Sequence, residues 1–162
     1  MTDYGQASVE DLPAILALLK SCGLPTQDIT PAMLGGFLVA RHGGRVVGVA
    51  GVLPAGTDAL LRSVAVAPDH RGLGIAERLC DILEQRATQA GIANLYLLTQ
   101  TAEGYFAQRG FRPIERAQAP GALQATAEFQ QLCPASAVCM RKALQLPRTE
   151  AERGRAAGLD SA

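Results

Sequence analysis

The sequence predicts an α/β protein: a single mixed sheet with helices on both faces, its first four strands antiparallel and its fourth and fifth parallel. Three observations predict it. Apolar runs at 37–41, 45–53 and 59–66 are separated by His42-Gly43-Gly44 and by a second turn at 54–58, which reads as an antiparallel meander. The last of these runs enters a glycine-rich turn, Pro68-Asp-His-Arg-Gly-Leu-Gly74, that opens a strongly amphipathic helix. A nearly continuous apolar run follows at 94–99, as expected of a strand covered on both faces. Strand, helix, strand in one sheet crosses over right-handedly, so the runs at 59–66 and 94–99 should be parallel neighbours.

The remaining elements fit around that frame. Residues 2–7 suit a short first strand. Ser8-Val-Glu-Asp11 has the spacing of a capping box, and Pro13 is tolerable only in a first helical turn, so a helix should start near Asp11. Leu12, Ile15, Leu16 and Leu19 form its apolar face; Gly23 and Pro25 end it. Thr30-Pro31 pairs a cap with proline at the first helical position, opening a short second helix. The helix at 74–90 should bury Ile75, Leu79, Ile82, Leu83 and the stem of Arg86, and Gly91 closes it. Residues 102–109 read as a short helix stopped by Gly110; 111–114 and 137–142 read as the last strands, with weak helical character between them at 120–132.

A chain of 162 residues with 48% hydrophobic and 19% charged residues suits one globular domain, expected over 1–146. The polar stretch 147–162 has no apolar face and is expected to be a disordered tail. Basic and acidic residues balance to a net charge of zero, which speaks against nucleic acid or an anionic membrane as partner. There is no signal-peptide pattern, and no apolar run reaches the ~18 residues of a membrane span, so a cytoplasmic protein is expected. The four cysteines, Cys22, Cys80, Cys133 and Cys139, include no C-x-x-C pair and have no histidine cluster beside them. No metal site is expected, and free buried thiols are.

The turn at 68–74 carries the chemistry. A helix N-terminus leaves its first N–H groups without intrahelical partners. Gly72 and Gly74 keep side chains out of the way, and the helix dipole adds positive potential, so phosphate oxygens are the fitting ligand. The wording is neither G-x-x-x-x-G-K-[ST] nor G-x-G-x-x-G with a distant acid. Arg71-x-x-Gly74-x-Ala76 instead resembles the [QR]-x-x-G-x-[GA] signature of the GNAT family of N-acetyltransferases. The likeness extends over about residues 3–144. Ala102-Glu-Gly-Tyr-Phe-Ala-Gln-Arg-Gly-Phe111 is similar to the family's helix ending in G-F. Leu61-Arg-Ser-Val-Ala-Val66 and Leu132-Cys-Pro-Ala-Ser-Ala-Val-Cys-Met140 resemble a narrower branch, the small acetyltransferases linked to arsenic resistance (ArsN group).

The resemblance implies acetyl-CoA as co-substrate, a small-molecule amine as acceptor and, as is common in the family, a homodimer. It places pantetheine between splayed fourth and fifth strands, hydrogen-bonded like an added strand to backbone along Val64, Ala65 and Val66. It places the pyrophosphate on the N–H groups of Arg71, Gly72, Leu73, Gly74, Ile75 and Ala76. Relatives of the branch acetylate the α-amine of glutamate-like toxins such as arsinothricin and phosphinothricin. Many members carry a tyrosine acid four residues before the glycine of G-F; here that residue is Phe106, which cannot donate. Tyr105 is next to it, but consecutive helical residues point about 100° apart.

Arg62, an arginine within an apolar run, is either the partner of an acceptor carboxylate or a solvent-facing strand residue. Thr99, Thr101 and Glu103 follow the fifth strand, where acceptors meet the cofactor in the family. Glu103 would relay a proton through water, or simply favour a helix start. His42 and His70 read as turn and loop residues. Acetylation of a peptide, non-catalytic acyl-CoA sensing, and arsenite binding by Cys22, Cys133 and Cys139 are the competing functions.

Overall fold

The computed structural model describes residues 1–132 and 134–144, with 131 and 132 by their backbone alone. The expected tail at 147–162 and Cys133 lie outside the described residues. Seven strands form one sheet: β1 (Thr2–Gln6), β2 (Phe37–His42), β3 (Arg45–Ala55), β4 (Asp58–Val66), β5 (Asn94–Thr99), β6 (Arg112–Ile114) and β7 (Val138–Ala143). Their spatial order is β1-β2-β3-β4-β5-β7-β6. The first four are antiparallel neighbours, and β4 and β5 are parallel, as the crossover rule requires. β7 inserts between β5 and β6, an order that no local sequence pattern encodes.

Both parities of β2 and β3 are buried: Phe37 and Val39 on one face, Leu38 and Ala40 on the other. A strand buried on both sides needs cover on both sides. Helix α2 (Ile75–Gln89) covers the face of Ala40 and Gly48, where Ile75 and Leu79 press so close that Gly48 has no room for a Cβ. Helix α1 (Leu12–Ser21) packs against β3 and β4. Along β5 the sides separate cleanly. Leu95 and Leu97 enter the main core, while Tyr96 joins a smaller one with Leu60, Cys139, Leu123 and Phe129. That smaller core is roofed by α4 (Gly121–Gln124) and a π-helical turn, Glu128–Leu132, where the sequence suggested one weak helix.

Local chemistry sets the boundaries. The Asp11 carboxylate accepts from both the N–H and the hydroxyl of Ser8, so the 3-10 turn Val9–Asp11 precedes α1 as the capping pattern implied. The segment after Thr30 is a 3-10 helix, Pro31–Gly36, rather than an α-helix. The buried stripe of α2 is Ile75, Leu79, Cys80, Leu83 and Ala87. It is rotated from the expected one: Ile82 is half-buried, and Arg86 is exposed and reaches Gln6. The small side chains Cys80 and Ala87 let the helix sit close to the sheet, and this turns Arg86 outward. Helix α3 (Glu103–Gln108) ends as Gly110 adopts φ 97°, with Phe106 and Phe111 meeting edge to face beneath it. No helix among the described residues is long and apolar enough to cross a membrane.

Gly36 and Gly35 are neighbours with opposite surroundings. A Cβ on Gly36 would stand 2.1 Å from the Val52 carbonyl oxygen, and one on Gly35 would meet nothing within 4 Å. Gly36→Ala should therefore lower stability by about 3 kcal/mol, and Gly35→Ala should change it by less than about 0.5 kcal/mol, in urea denaturation.

Candidate active site

The site begins where β4 leaves β5. Their parallel pairing runs Asp58↔Asn94, Ala59↔Leu95, Leu60↔Tyr96 and stops there. On the other side of β4 the register with β3 shifts, from Gly51↔Arg62 to Val49↔Ala65, so Ser63 and Val64 together face Ala50. Such a bulge bends its strand and increases its twist, and here it carries β4 away from β5. The β5-facing edge of β4 beyond Leu60 is thus left open as a gap.

Two cavities fill this gap and share Cys22, Leu24, Val64, Thr101, Ala102 and Phe106 as walls. The first, about 580 Å³, runs along Val64, Ala65 and Val66 to the turn at His70, Arg71, Gly72 and Gly74 and the first residues of α2, Ile75 to Glu77. Gly72 and Gly74 sit at φ 78° and 80°, left-handed backbone that only glycine adopts without cost. Gly74 caps α2, so the next N–H groups face the cavity end without helical acceptors. An open strand edge leading to a bare helix N-terminus fits a long ligand with an amide-bearing arm and phosphates.

The second cavity, about 600 Å³, lies under the loop at 23–27 and is lined by Arg62, Ser63, Thr99, Gln100, Thr101 and Ala137 among others. Thr99 is buried, and its hydroxyl accepts the Ala102 N–H, fixing the entry into α3. Thr101 is exposed and borders both cavities.

Several sequence-chosen residues are placed in ways that refine their reading. The guanidinium of Arg62 is fully buried. It donates to both oxygens of Asp28, at 2.5 and 2.9 Å, stands 3.3 Å from Glu128, and gives its Nε–H to Ser63 Oγ at 3.0 Å. It is not a solvent-facing strand residue, and an acceptor carboxylate would have to displace a carboxylate of the chain itself to reach it. Arg71 folds back, its Nε donating to the Val66 carbonyl at 3.1 Å and its Nη2 lying 3.5 Å from Cys22 Sγ. In this pose it closes the end of β4 rather than extending toward phosphate. Leu73 is largely exposed and, like Glu103 on the outer first turn of α3, lines neither cavity. Tyr105 borders the first cavity with its ring edge-on to Phe106. Burial, with the Cys80 thiol adding and Arg109 opposing, holds its hydroxyl above the usual tyrosine range, so it stays protonated at neutral pH. His70 also borders that cavity; its ring nitrogen is 3.0 Å from Asp69, and the His42 ring stands 5.2 Å away.

Sequence reasoning missed Asp28, Glu128, Ser63 and the place of Cys22. An ion pair between residues so far apart in sequence leaves no local pattern. The surplus charge of Arg62 inside an apolar run was the one available signal, and it called for some partner without naming which. Cys80 behaves as the expected buried thiol, pushed up to about 12 by burial. Among the described residues no group of His, Cys, Asp and Glu is arranged to hold a metal ion.

Residues 34–113 match the acetyltransferase (GNAT) domain family. The chain is similar to that family over just under half its length, and its fold is of the GNAT type. It is 28% identical over 134 residues to the amino-acid acetyltransferase of Azotobacter vinelandii (strain DJ / ATCC BAA-1303), covering 78% of this chain and 31% of that protein. The chain thus spans under a third of the length of the curated relatives it matches. Among solved structures, N-acetylglutamate synthase from Neisseria gonorrhoeae, complexed with coenzyme A and N-acetyl-glutamate, superposes with a TM-score of 0.78 at 22% identity, over 90% of this chain and 35% of that one. Rv2747 from Mycobacterium tuberculosis, in complex with CoA and NLQ, gives 0.74 at 25% identity, over 88% and 99%. The ribosomal-protein-S18-alanine N-acetyltransferase from Escherichia coli gives 0.64 at 15%, over 93% and 98%.

The ion cluster makes a prediction with a sign. Burial raises the Asp28 carboxyl, but hydrogen bonds and charge from Arg62 outweigh it and hold the group below the ordinary carboxylate range. Its contribution to stability is therefore full above that range and is lost on acidification. Glu128 is opposite: burial, opposed by Arg62 and reinforced by Asp28, raises it, so its ionisation weakens the fold as pH rises. Asp28→Asn should cost about 2–3 kcal/mol at neutral pH, and Glu128→Gln less. The stability of Asp28→Asn should also fall less than wild type on acidification from about pH 7 to 3, measured by urea midpoints.

Proposed function

We propose that the protein transfers the acetyl group of acetyl-CoA to the amine of a small amino acid, by direct attack in a ternary complex. The observation that carries this is the pair of joined cavities. One leads to a glycine-lined helix N-terminus, and the other ends in a separate pocket at the splay point. The similar amino-acid acetyltransferases and the structure complexed with coenzyme A and N-acetyl-glutamate support the reading. The resemblance of Leu61 to Val66 to the arsenic-resistance branch supports a glutamate-like acceptor of the arsinothricin or phosphinothricin type.

On this reading the open edge along Val64, Ala65 and Val66 holds the pantetheine arm, and the backbone of Arg71, Gly72, Gly74, Ile75 and Ala76 holds the pyrophosphate. Bound acetyl-CoA supplies a thioester whose thiolate leaves as the amine attacks. The chain's own part is mostly placement. Phe106, buried and shared by both cavities, keeps water from their junction. Thr99 and Thr101, with Arg62 behind them, shape the acceptor pocket. Tyr105 borders the cofactor arm, and Glu103 stands outside as a water-relayed proton acceptor. A thiol has a pKa near ~8.5, so its thiolate leaves readily even without an acid at the Phe106 position.

A second reading, a non-catalytic acyl-CoA sensor, is favoured by Phe106 alone. Release of CoA thiol separates the two, with acetyl-CoA and a panel of glutamate, phosphinothricin, arsinothricin, other amino acids, polyamines and a peptide. Turnover of an amino acid is expected; tight acetyl-CoA binding without turnover of any amine would establish the sensor. Tyr105→Phe should leave kcat within about tenfold of wild type, because positioning supplies most of the rate; a loss of ~100-fold or more would make its hydroxyl the acid.

A further inference from the structure

Ser63 is the one non-glycine residue at positive φ among the described residues, at 58°. A Cβ in left-handed backbone crowds the following carbonyl, and serine lacks the adaptation that lets asparagine or glycine sit there. A glycine at this point of the bulge would relieve the strain. Strain of this kind persists where the surroundings over-determine it, and it marks a side chain with a task.

The surroundings say what the task is. Ser63 is 8% exposed and lines the acceptor cavity. One lone pair of its Oγ accepts the Nε–H of Arg62. A hydroxyl keeps one proton and a second lone pair after such a contact. Receiving a bond from a cation polarises the O–H and makes it a better donor and a poorer acceptor. The cation behind it is held in place by Asp28 and Glu128, so the guanidinium is committed to the chain, and Ser63 borders the cavity beside it with a proton still to donate.

We propose that Ser63 contacts the acceptor, donating its O–H to the carboxylate of an amino acid, and that Arg62 is its positioning residue. This rests on the function proposed above and names the feature of the acceptor that the site selects. The triad Asp28, Arg62, Glu128 thereby ties the loop at 23–28 and the π-helical turn to one hydroxyl on the strand between them.

The test uses Ser63→Gly and Ser63→Ala in the full chain, with the amino acid that the wild type acetylates fastest and its α-carboxamide. In Ser63→Gly, kcat/KM for the amino acid should fall by about tenfold to a hundredfold, mainly through KM. The α-carboxamide should change by less than about threefold, and the KM for acetyl-CoA should hold. Ser63→Ala should show the same loss of preference, and because both variants remove the oxygen that accepts from Arg62 Nε while only glycine releases the backbone strain, Tm should be higher in Ser63→Gly than in Ser63→Ala. Unchanged kcat/KM for the amino acid in Ser63→Gly, or equal losses for both acceptors, would overturn the assignment while leaving the acetyltransferase reading intact. Absence of any turnover by the wild type would overturn both.

Discussion

The parting of β4 from β5 is the constraint on which the rest of this molecule depends. Parallel strands ordinarily keep their ladder until one ends. Here the ladder stops after Leu60↔Tyr96 although both strands continue, because the bulge at Ser63 and Val64 bends β4 away. The cost is an unpaired strand edge inside the protein. Backbone groups so exposed need partners, and a ligand that lies along the strand can supply them. The candidate site is a defect in sheet pairing held open by the packing around it.

Three devices hold it open. β7 pairs with β5 along its whole length, so β5 cannot drift toward β4. Phe106 and Phe111 wedge the base of α3 near the junction of the cavities. Arg62 is the third. A buried cation is costly unless it is well paired, and its partners come from the loop after α1 and from the π-helical turn. The same bonds that satisfy the guanidinium draw those two segments onto β4, and the loop after α1 becomes a wall of the second cavity. Electrostatic need and pocket shape are met by one set of contacts.

The two cavities differ in how they are made. The first cavity's end is local: strand, turn and helix are consecutive, and two left-handed glycines lead straight into a helix N-terminus with unpaired N–H groups. The second cavity is assembled from the loop at 23–27, β4, β5 and the segment around Ala137. This explains why the glycine turn that opens α2 was legible at 71–76 while the partners of Arg62 were not. Arg62 stood out as a charge in an apolar run, but its occupation by Asp28 and Glu128 depends on three segments that meet only in the folded chain. Leu73 and Glu103 fell at motif positions yet face outward, because a motif specifies spacing and not the direction of each side chain.

The sequence by itself determined the element order, the meander, the crossover and the glycine turn that opens α2. Each of these rests on a period or turn chemistry within a short window. It also determined that β5 is interior, from its unbroken apolar run at 94–99. Only the tertiary structure decided the insertion of β7 between β5 and β6, the rotated face of α2, the break in the segment at 120–132, and the left-handed turn at Ser63. The physical reason is common to all four. Each is settled by contacts between residues distant in sequence, where packing and charge pairing override what the neighbouring residues prefer.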